Sequence, residues 1–312
     1  MRFMKIHSFG PLEEKPCPIC QSDDSSLVTV EPVFGEDFHV VRCRNCRLIR
    51  TNPSPSSEWK DCFYDPACNG IMAAQGRDFV YLPSEQRHPA YHSILKLLKS
   101  KLPAGARLLD AGCAVGGFVK TAENYSFEAV GCDYSETAVA YGKQHCNAPL
   151  FHGQADCLPF DDASFDVVTM LEVLEHFSDP FPALEEIRRV LCPSGTLLIE
   201  TPNYLPYYYF ERYLKKIKPL YCKATNKQHL PWYPFDHLTH WTSETLLRAL
   251  ATAGFKQCIT HSIKNFRIDT PMDRPLSRLF RLYSSVGNGL YQLTKMASLD
   301  FRTALIATAV KQ

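Results

Sequence analysis

No stretch of this 312-residue chain is apolar over the ~20 residues that a membrane-spanning helix needs. An excess of charge is also missing. Lys and Arg number 34 against 33 Asp and Glu, which excludes a global polycation built to track nucleic acid, though not a local basic patch. No internal repeat is evident. Met1-Arg2-Phe3-Met4-Lys5 is not followed by a secretory apolar core, so a cytoplasmic protein is expected. Hydrophobic residues make up 45% and charged residues 21%, which argues against wholesale disorder. The length predicts two domains, or one large domain with an appendage. Without an export signal, most of the 13 cysteines are expected as thiols or metal ligands rather than disulfides.

Four cysteines have informative spacing. Cys17-Pro18-Ile19-Cys20 and Cys43-Arg44-Asn45-Cys46 are two CxxC pairs with 22 residues between them. Each turn brings two thiolates to one ion, and two turns complete a tetrahedral set of four sulfurs. Residues 27–30 and 38–42 read as short strands, as a zinc ribbon requires. So short a module has too little core to fold alone, so a bound ion would supply the missing stability. Four thiolates leave no open position, which makes the zinc structural. The alternatives are two unrelated cysteine turns or a redox pair. Cys62, Cys68, Cys113, Cys132, Cys146, Cys157, Cys192, Cys222 and Cys258 lack such spacing and are given no catalytic role.

The breaker-rich residues 51–57 close a ribbon-like module spanning 1–57. A linker with N-terminal helices follows over 58–102. Tyr91, Ile94, Leu95, Leu97 and Leu98 mark a helix within 88–101 that ends before Pro103. Strands are then predicted at 107–109, 127–132, 149–151, 165–170 and 195–200. Helices are predicted at 117–125, 136–145 and 181–191. Such alternation predicts an α/β, Rossmann-like, doubly wound and mostly parallel sheet over 103–312.

Asp110-Ala111-Gly112-Cys113-Ala114-Val115-Gly116-Gly117 follows the first of these strands and opens a helix. Glycines there let the backbone approach a ligand at the carboxyl edge of the sheet. Asp133 ends the second strand, where a carboxylate can take two ribose hydroxyls. Asp156, after the third, can accept from an adenine amino group. The fourth strand closes with Leu171-Glu172-Val173-Leu174-Glu175-His176-Phe177-Ser178-Asp179-Pro180. The spacing of Gly112, Gly116 and Gly117 does not give GxGxxG, which disfavours a nicotinamide dinucleotide.

In these residues the chain resembles the class I S-adenosylmethionine-dependent methyltransferases, over about 88–262. The Asp-x-Gly-x-x-x-Gly turn, the acidic end of the second strand, Asp156-Cys157-Leu158-Pro159-Phe160 and Glu-His-x-x-Asp-Pro fall in that family's order. Leu191-Cys192-Pro193-Ser194-Gly195-Thr196-Leu197 is similar to its turn into strand five. The run from His237 to Leu246, ending in Ala253-Gly254-Phe255, is similar to its helix before strand six. The resemblance implies S-adenosylmethionine as cofactor, with Asp110, Gly112 and Gly116 lining its methionine portion, Asp133 its ribose and Asp156 its adenine. Cys113, Tyr134, Cys157 and Glu172 complete the implied cofactor-binding set. Ala114 departs from the pattern, since many members carry a third glycine there. With its CxxC module the chain resembles methyltransferases of nucleotide-sugar and cell-surface-glycan pathways, which implies a hydroxylated acceptor; the cations of the insertion at about 204–235 suggest that it is anionic.

Transfer to a hydroxyl needs a group that takes its proton. His176, His237 and His240 are the catalytic candidates. Glu172-x-x-Glu175-His176 resembles the metal motif of small-RNA 2′-O-methyltransferases, and Asp236-His237 the segment that supplies its further histidine. That likeness implies a divalent ion, Mg²⁺ or a softer one, held by Glu172, Glu175, His176 and His237. The alternative is that Glu175 and His176 merely fix the loop.

Two insertions are expected, at about 204–235 and 267–299. The first carries aromatics and six cations (Arg212, Lys215, Lys216, Lys218, Lys223 and Lys227) against one acid, Glu211, and reads as a substrate lid. In the second, Leu276, Leu279, Phe280 and Tyr283 share a helical face suited to the domain itself, a second subunit or, as a minority reading, a peripheral membrane contact. The competing functions are an RNA methyltransferase that grips nucleic acid with Arg42, Arg44, Arg47 and Arg50, and a non-catalytic cofactor-binding module.

Overall fold

The structure, a computed structural model, describes residues 12–33, 36–56, 89–205, 208, 236–261 and 304–312. The second insertion, most of the first, residues 58–85 and Cys62, Cys68 and Cys222 lie outside the described residues.

Strand β1 (Leu12–Glu13) is followed by β2 (Ser25–Val33), β3 (Glu36–Cys43), β4 (Ile49–Thr51) and β5 (Ser54–Pro55). Alternation sets β3, where Phe38 and Val40 point inward between exposed neighbours. Strands β2, β3 and β4 form an antiparallel meander, and β1 pairs with β5.

Helix α1 (Pro89–Lys99) buries Ile94, Leu95 and Leu98. Strand β6 (Arg107–Ala111) leads to α2 (Gly117–Glu123), β7 (Glu128–Asp133), α3 (Glu136–Cys146) and β8 (Leu150–His152). Ser135 caps α3 by accepting from the Ala138 amide at 3.2 Å. Strand β9 (Phe165–Leu171) ends before a 3₁₀ turn (Leu174–His176). Helix α4 (Phe181–Val190) follows, burying Ala183, Leu184, Ile187 and Val190 at helical spacing. Then come β10 (Leu191–Pro202), β11 (Thr239–His240), α5 (Ser243–Thr252), β12 (Phe255–His261) and β13 (Ala304–Lys311).

The large sheet has the order β12-β13-β10-β9-β6-β7-β8. Its β10-β9-β6-β7-β8 portion is parallel, and β13 runs antiparallel between β10 and β12. This is the expected doubly wound, mostly parallel sheet. Its order reverses beside β6, so the loops after β6 and β9 flank one crevice at the carboxyl edge.

One expected helix begins late. Residues 237–242 are irregular apart from the short strand β11, and the helix opens only at Ser243. Thr242 is the reason: its side chain and that of Thr245 form a reciprocal capping box, which fixes the helix start there.

The two faces of the sheet are covered differently. One packs α1 and α2 through Leu95, Leu98, Phe118 and Val119. The other packs α4 and α5, and its core continues into the ribbon: Cys17, Cys43, Cys46 and Leu48 share one cluster with Trp241, Leu246 and Leu250. Strand β11 leaves the catalytic half to pair with β4 and completes the ribbon's sheet, Thr239 opposite Arg50 and His240 opposite Ile49.

Candidate functional site: a two-sided crevice at the carboxyl edge

On one side the backbone does most of the work. Gly112 and Gly116 have φ of 84° and 79°. A Cβ on Gly112 would overlap Val173 of the opposite loop, and one on Gly116 would lie 2.9 Å from Ala148 and Leu150. Only glycine meets both the conformation and the packing. Ala114 also sits in the left-handed region, at 48°, so the side chain that replaces the expected glycine carries backbone strain.

Asp110, at the end of β6, is buried and accepts a 2.7 Å hydrogen bond from Thr169 Oγ1. Burial raises its pKa to about 7, against the lowering effect of that bond and with a smaller raising contribution from Asp133. Asp133 accepts from the Ala114 amide at 2.7 Å on one oxygen and from the Ser135 amide at 2.8 Å on the other. Burial raises its pKa too, opposed by these amides. Asp133 therefore braces the glycine loop, and each oxygen retains a lone pair for a further donor. Tyr134 is half-buried. Asp156 and Cys157 are exposed just beyond β8. Cys113 is buried, and its thiol occupies the space where a Cβ on Gly131 would stand.

The opposite side is built from side chains. Glu172 (φ 56°) donates its amide to the Glu200 carbonyl at 2.9 Å. The residue is exposed overall, yet desolvation of its carboxyl and then the neighbouring Glu200 raise its pKa well above the usual range. Burial likewise raises Glu200 to about 7 and Glu175 to about 8. Glu175 Oε2 accepts from Thr201 Oγ1 at 2.9 Å, whereas its buried Oε1 has no hydrogen-bond partner among the described residues.

His176 Nδ1 lies 2.9 Å from Asp236 Oδ1 and 3.0 Å from the Asp236 carbonyl. Burial alone would lower the His176 pKa, but Asp236 and then Glu175 outweigh it and raise the value to about 9. His237 Nδ1 is hydrogen-bonded to the Tyr204 hydroxyl, and the rings of His176 and His237 meet edge-on at 5.0 Å. One ligand atom from each of Glu175, His176 and His237 falls within 4.8 Å of the others.

Of the four residues expected around a divalent ion, three are thus gathered, while Glu172 engages Glu200 instead. His240, a third histidine candidate, needs correcting. It is fully buried in β11 under the Tyr204 ring, 4.4 Å between centroids, and burial pushes its pKa well below the ordinary value. A neutral imidazole inside the joint between ribbon and sheet is out of reach of a substrate. Glu200, Thr201, Tyr204 and Asp236 belong to the site and were not singled out by sequence. Only the adjacency of Asp236 to His237 could have pointed to any of them.

The sulfurs of Cys17, Cys20, Cys43 and Cys46 also lie within 4.8 Å of one another, with Cys17–Cys46 at 3.3 Å and Cys20–Cys43 at 3.5 Å. These separations are too long for disulfides and suit four sulfurs around one ion. The expected basic stripe is dispersed: Arg50 is buried, Arg42 stacks on Tyr208, and Arg44 and Arg47 pair with Asp24 and Glu244.

A glycine turn between two hydrogen-bonded carboxylates lies at the switch point of the sheet, with the cluster of Glu172, Glu175, Glu200, His176 and His237 beyond it. Residues 109–199 match the family described as a methyltransferase domain. The chain is 32% identical over 171 residues to the demethylmenaquinone methyltransferase of Staphylococcus epidermidis, covering 51% of this chain and 71% of that protein. It is 30% identical over 154 residues to an S-adenosylmethionine-dependent methyltransferase of Mycolicibacterium smegmatis, covering 49% and 53%. Among solved structures, the [4+2]-cyclase SpnF superposes with a TM-score of 0.50 at 18% identity, covering 83% of this chain and 97% of that one. A chain from the complex of the Haloferax volcanii Trm112 methyltransferase activator with a methyltransferase does so at 0.50 and 20%, covering 77% and 96%. These two share the fold. The chain belongs to the S-adenosylmethionine-dependent methyltransferases.

Proposed function

We propose that the chain methylates a hydroxyl of a small anionic acceptor, such as a nucleotide sugar or a glycan unit. The observation that carries this reading is the wall of Glu172, Glu175, Glu200, His176 and His237 facing the glycine turn across one crevice. The sulfonium donor would lie along Asp110, Gly112, Cys113 and Gly116, with its ribose on Asp133 and Tyr134, its adenine by Asp156 and Cys157, and Glu172 beside the methyl group. Transfer is an in-line displacement: the acceptor oxygen bonds to the methyl carbon, the carbon–sulfur bond breaks, and S-adenosylhomocysteine leaves. The hydroxyl proton goes to His237 Nε2, in the tautomer whose Nδ1–H donates to the Tyr204 hydroxyl oxygen. His176, held protonated by Asp236, orients that wall rather than acting as the base. The first insertion, with its aromatics and cations, is suited to an anionic acceptor.

A second reading rests on the unpartnered Glu175 Oε1: a divalent ion held by Glu175, His176 and His237. Two imidazoles and one carboxylate suit a softer ion better than Mg²⁺, and the ion would have to displace the His176 proton. Chelator-treated protein that keeps full turnover would remove this reading. The ribbon sulfurs fit structural zinc, and we assign them that role.

Labelled methyl donor, incubated with fractionated cell extract, tests the acceptor. Label is expected in the anionic small-molecule fraction. Label in the methylated product of demethylmenaquinone, the substrate that names the staphylococcal relatives, would replace that acceptor with a quinone. Salt-sensitive filter binding of bulk RNA would replace it with nucleic acid, a reading that the dispersal of the ribbon arginines disfavours. No helix among the described residues is long and apolar enough to cross a membrane.

A further inference from the structure

The geometry points to the cysteine ribbon as the positioning element for His237, so that loading of the Cys17–Cys20–Cys43–Cys46 cluster sets the acceptor wall while leaving the donor side alone. This inference deepens the methyl-transfer reading and rests on it for the role of His237.

Two physical links carry it. The first runs through backbone. Thr51, in β4, donates its amide to the Leu238 carbonyl at 2.9 Å, and Leu238 donates its own amide to the Glu175 carbonyl at 2.7 Å. The residue after His237 is therefore pinned between the ribbon and the 3₁₀ turn that carries Glu175 and His176. Thr239 Oγ1 adds a 3.3 Å bond to the Leu174 carbonyl, and pairing of β11 with β4 holds the segment in register.

The second link runs through a side chain. Tyr204 is almost wholly buried, and its ring packs in one small cluster with the ribbon residues Val40 and Ile49. Its hydroxyl is the group on His237 Nδ1. A hydrogen bond to one ring nitrogen fixes the tautomer and aim of the other. Arg42, from β3, extends the contact by donating to the Tyr208 hydroxyl at 3.0 Å. The first link starts in β4, which follows the second CxxC turn by two residues, and the second in β4 and in β3, which runs into that turn. Cys17, Cys43 and Cys46 are themselves buried in the core shared with Trp241 and α5. The loop carrying Gly112, Ala114 and Gly116 takes its hydrogen bonds from β7 and its own turn, and among the described residues none from the ribbon.

The test compares the zinc-loaded full chain, the same chain stripped with a mercurial and chelator, and Ile49→Ala in the loaded state. Nitrogen-15 imidazole spectra report the His237 tautomer, calorimetry with S-adenosylhomocysteine reports the donor side, and Tyr204→Phe supplies the spectrum of a His237 that has lost its partner. The expected result is that stripping and Ile49→Ala both move the His237 Nδ1 resonance toward that of Tyr204→Phe, while the Kd stays within about twofold, as for uncoupled sites. An unmoved His237 resonance would overturn the inference, and so would a donor affinity that falls in step with it. Where stripping unfolds the chain, Ile49→Ala alone decides by the same two criteria. Absence of S-adenosylhomocysteine binding by the intact loaded chain would instead strike at the donor assignment, a separate failure.

Discussion

The two sides of the crevice are made by different means. The side proposed for the donor is local: one strand-turn-helix and the end of the next strand supply Asp110, the glycine turn and Asp133, whose carboxylate is held by two amides. The acceptor side is assembled from afar. Glu172, Glu175 and His176 follow β9, Glu200 and Tyr204 come from the end of β10 and just beyond it, Asp236 and His237 lie some thirty positions further on, and the ribbon's β3 and β4 stand behind them. A local backbone site is robust to changes elsewhere. An assembled side-chain site depends on every segment that meets there, which leaves it free to change acceptor without disturbing the donor.

The largest separation of the two sides is expected from His237→Ala. Loss of the base should cut kcat by about 10²–10⁴, with donor Kd unchanged, as single-turnover kinetics beside calorimetry would show. Equal losses in both would mean that the sides are not independent.

Asp110→Asn addresses the donor side through pH. The folded-state pKa of Asp110, about 7, exceeds the ordinary carboxylate value of 3.8, so between these values the folded chain holds a proton that the unfolded chain has released. Its contribution to stability is therefore complete below pH 3.8 and disappears as pH rises through about 7. Urea midpoints should show the wild type losing stability over that window, on the order of a few kcal/mol, and the Asn variant losing less. Glu200 and Glu175, raised in the same direction, supply a slope that remains in the variant.

Gly112→Ala probes a point where the sides touch, since its Cβ would overlap Val173. Overpacking on top of a left-handed φ should cost about 1–3 kcal/mol in denaturant unfolding and weaken donor binding as well. The smallest effect belongs to Ala114→Gly, which relieves the left-handed strain at 48° and should stabilise the chain by roughly 0.5–1 kcal/mol with donor affinity retained.

This division also explains what could be read from sequence. The geometry of the proposed donor side was legible because a glycine turn after a strand and a carboxylate at the end of the next strand are each specified within a few residues. The parallel sheet was legible for a similar reason, as the period of apolar residues names each element. The four cysteines announced their cluster by spacing alone. His240 misled because adjacency to His237 says nothing about which way a strand residue points, and its pairing opposite Ile49 turns it into the core. Glu200 and Tyr204 carry no motif, and Asp236 entered only as the neighbour of His237. Their roles come from long-range contacts, such as the bond of Asp236 to His176 sixty positions earlier. The ribbon, too, reads as an appendage from its spacing, because nothing in a short Thr-His strand reveals that it will complete a sheet begun two hundred residues earlier.

The most direct trial is a calorimetric titration of S-adenosylhomocysteine into the zinc-loaded chain and its Asp133→Ala variant. One saturable site is expected in the first. About hundredfold weaker binding is expected in the second, which loses the brace on two amides together with the ribose acceptor. No saturable heat in the folded wild-type chain, or equal affinity in both proteins, would contradict the placement of the donor at the glycine turn.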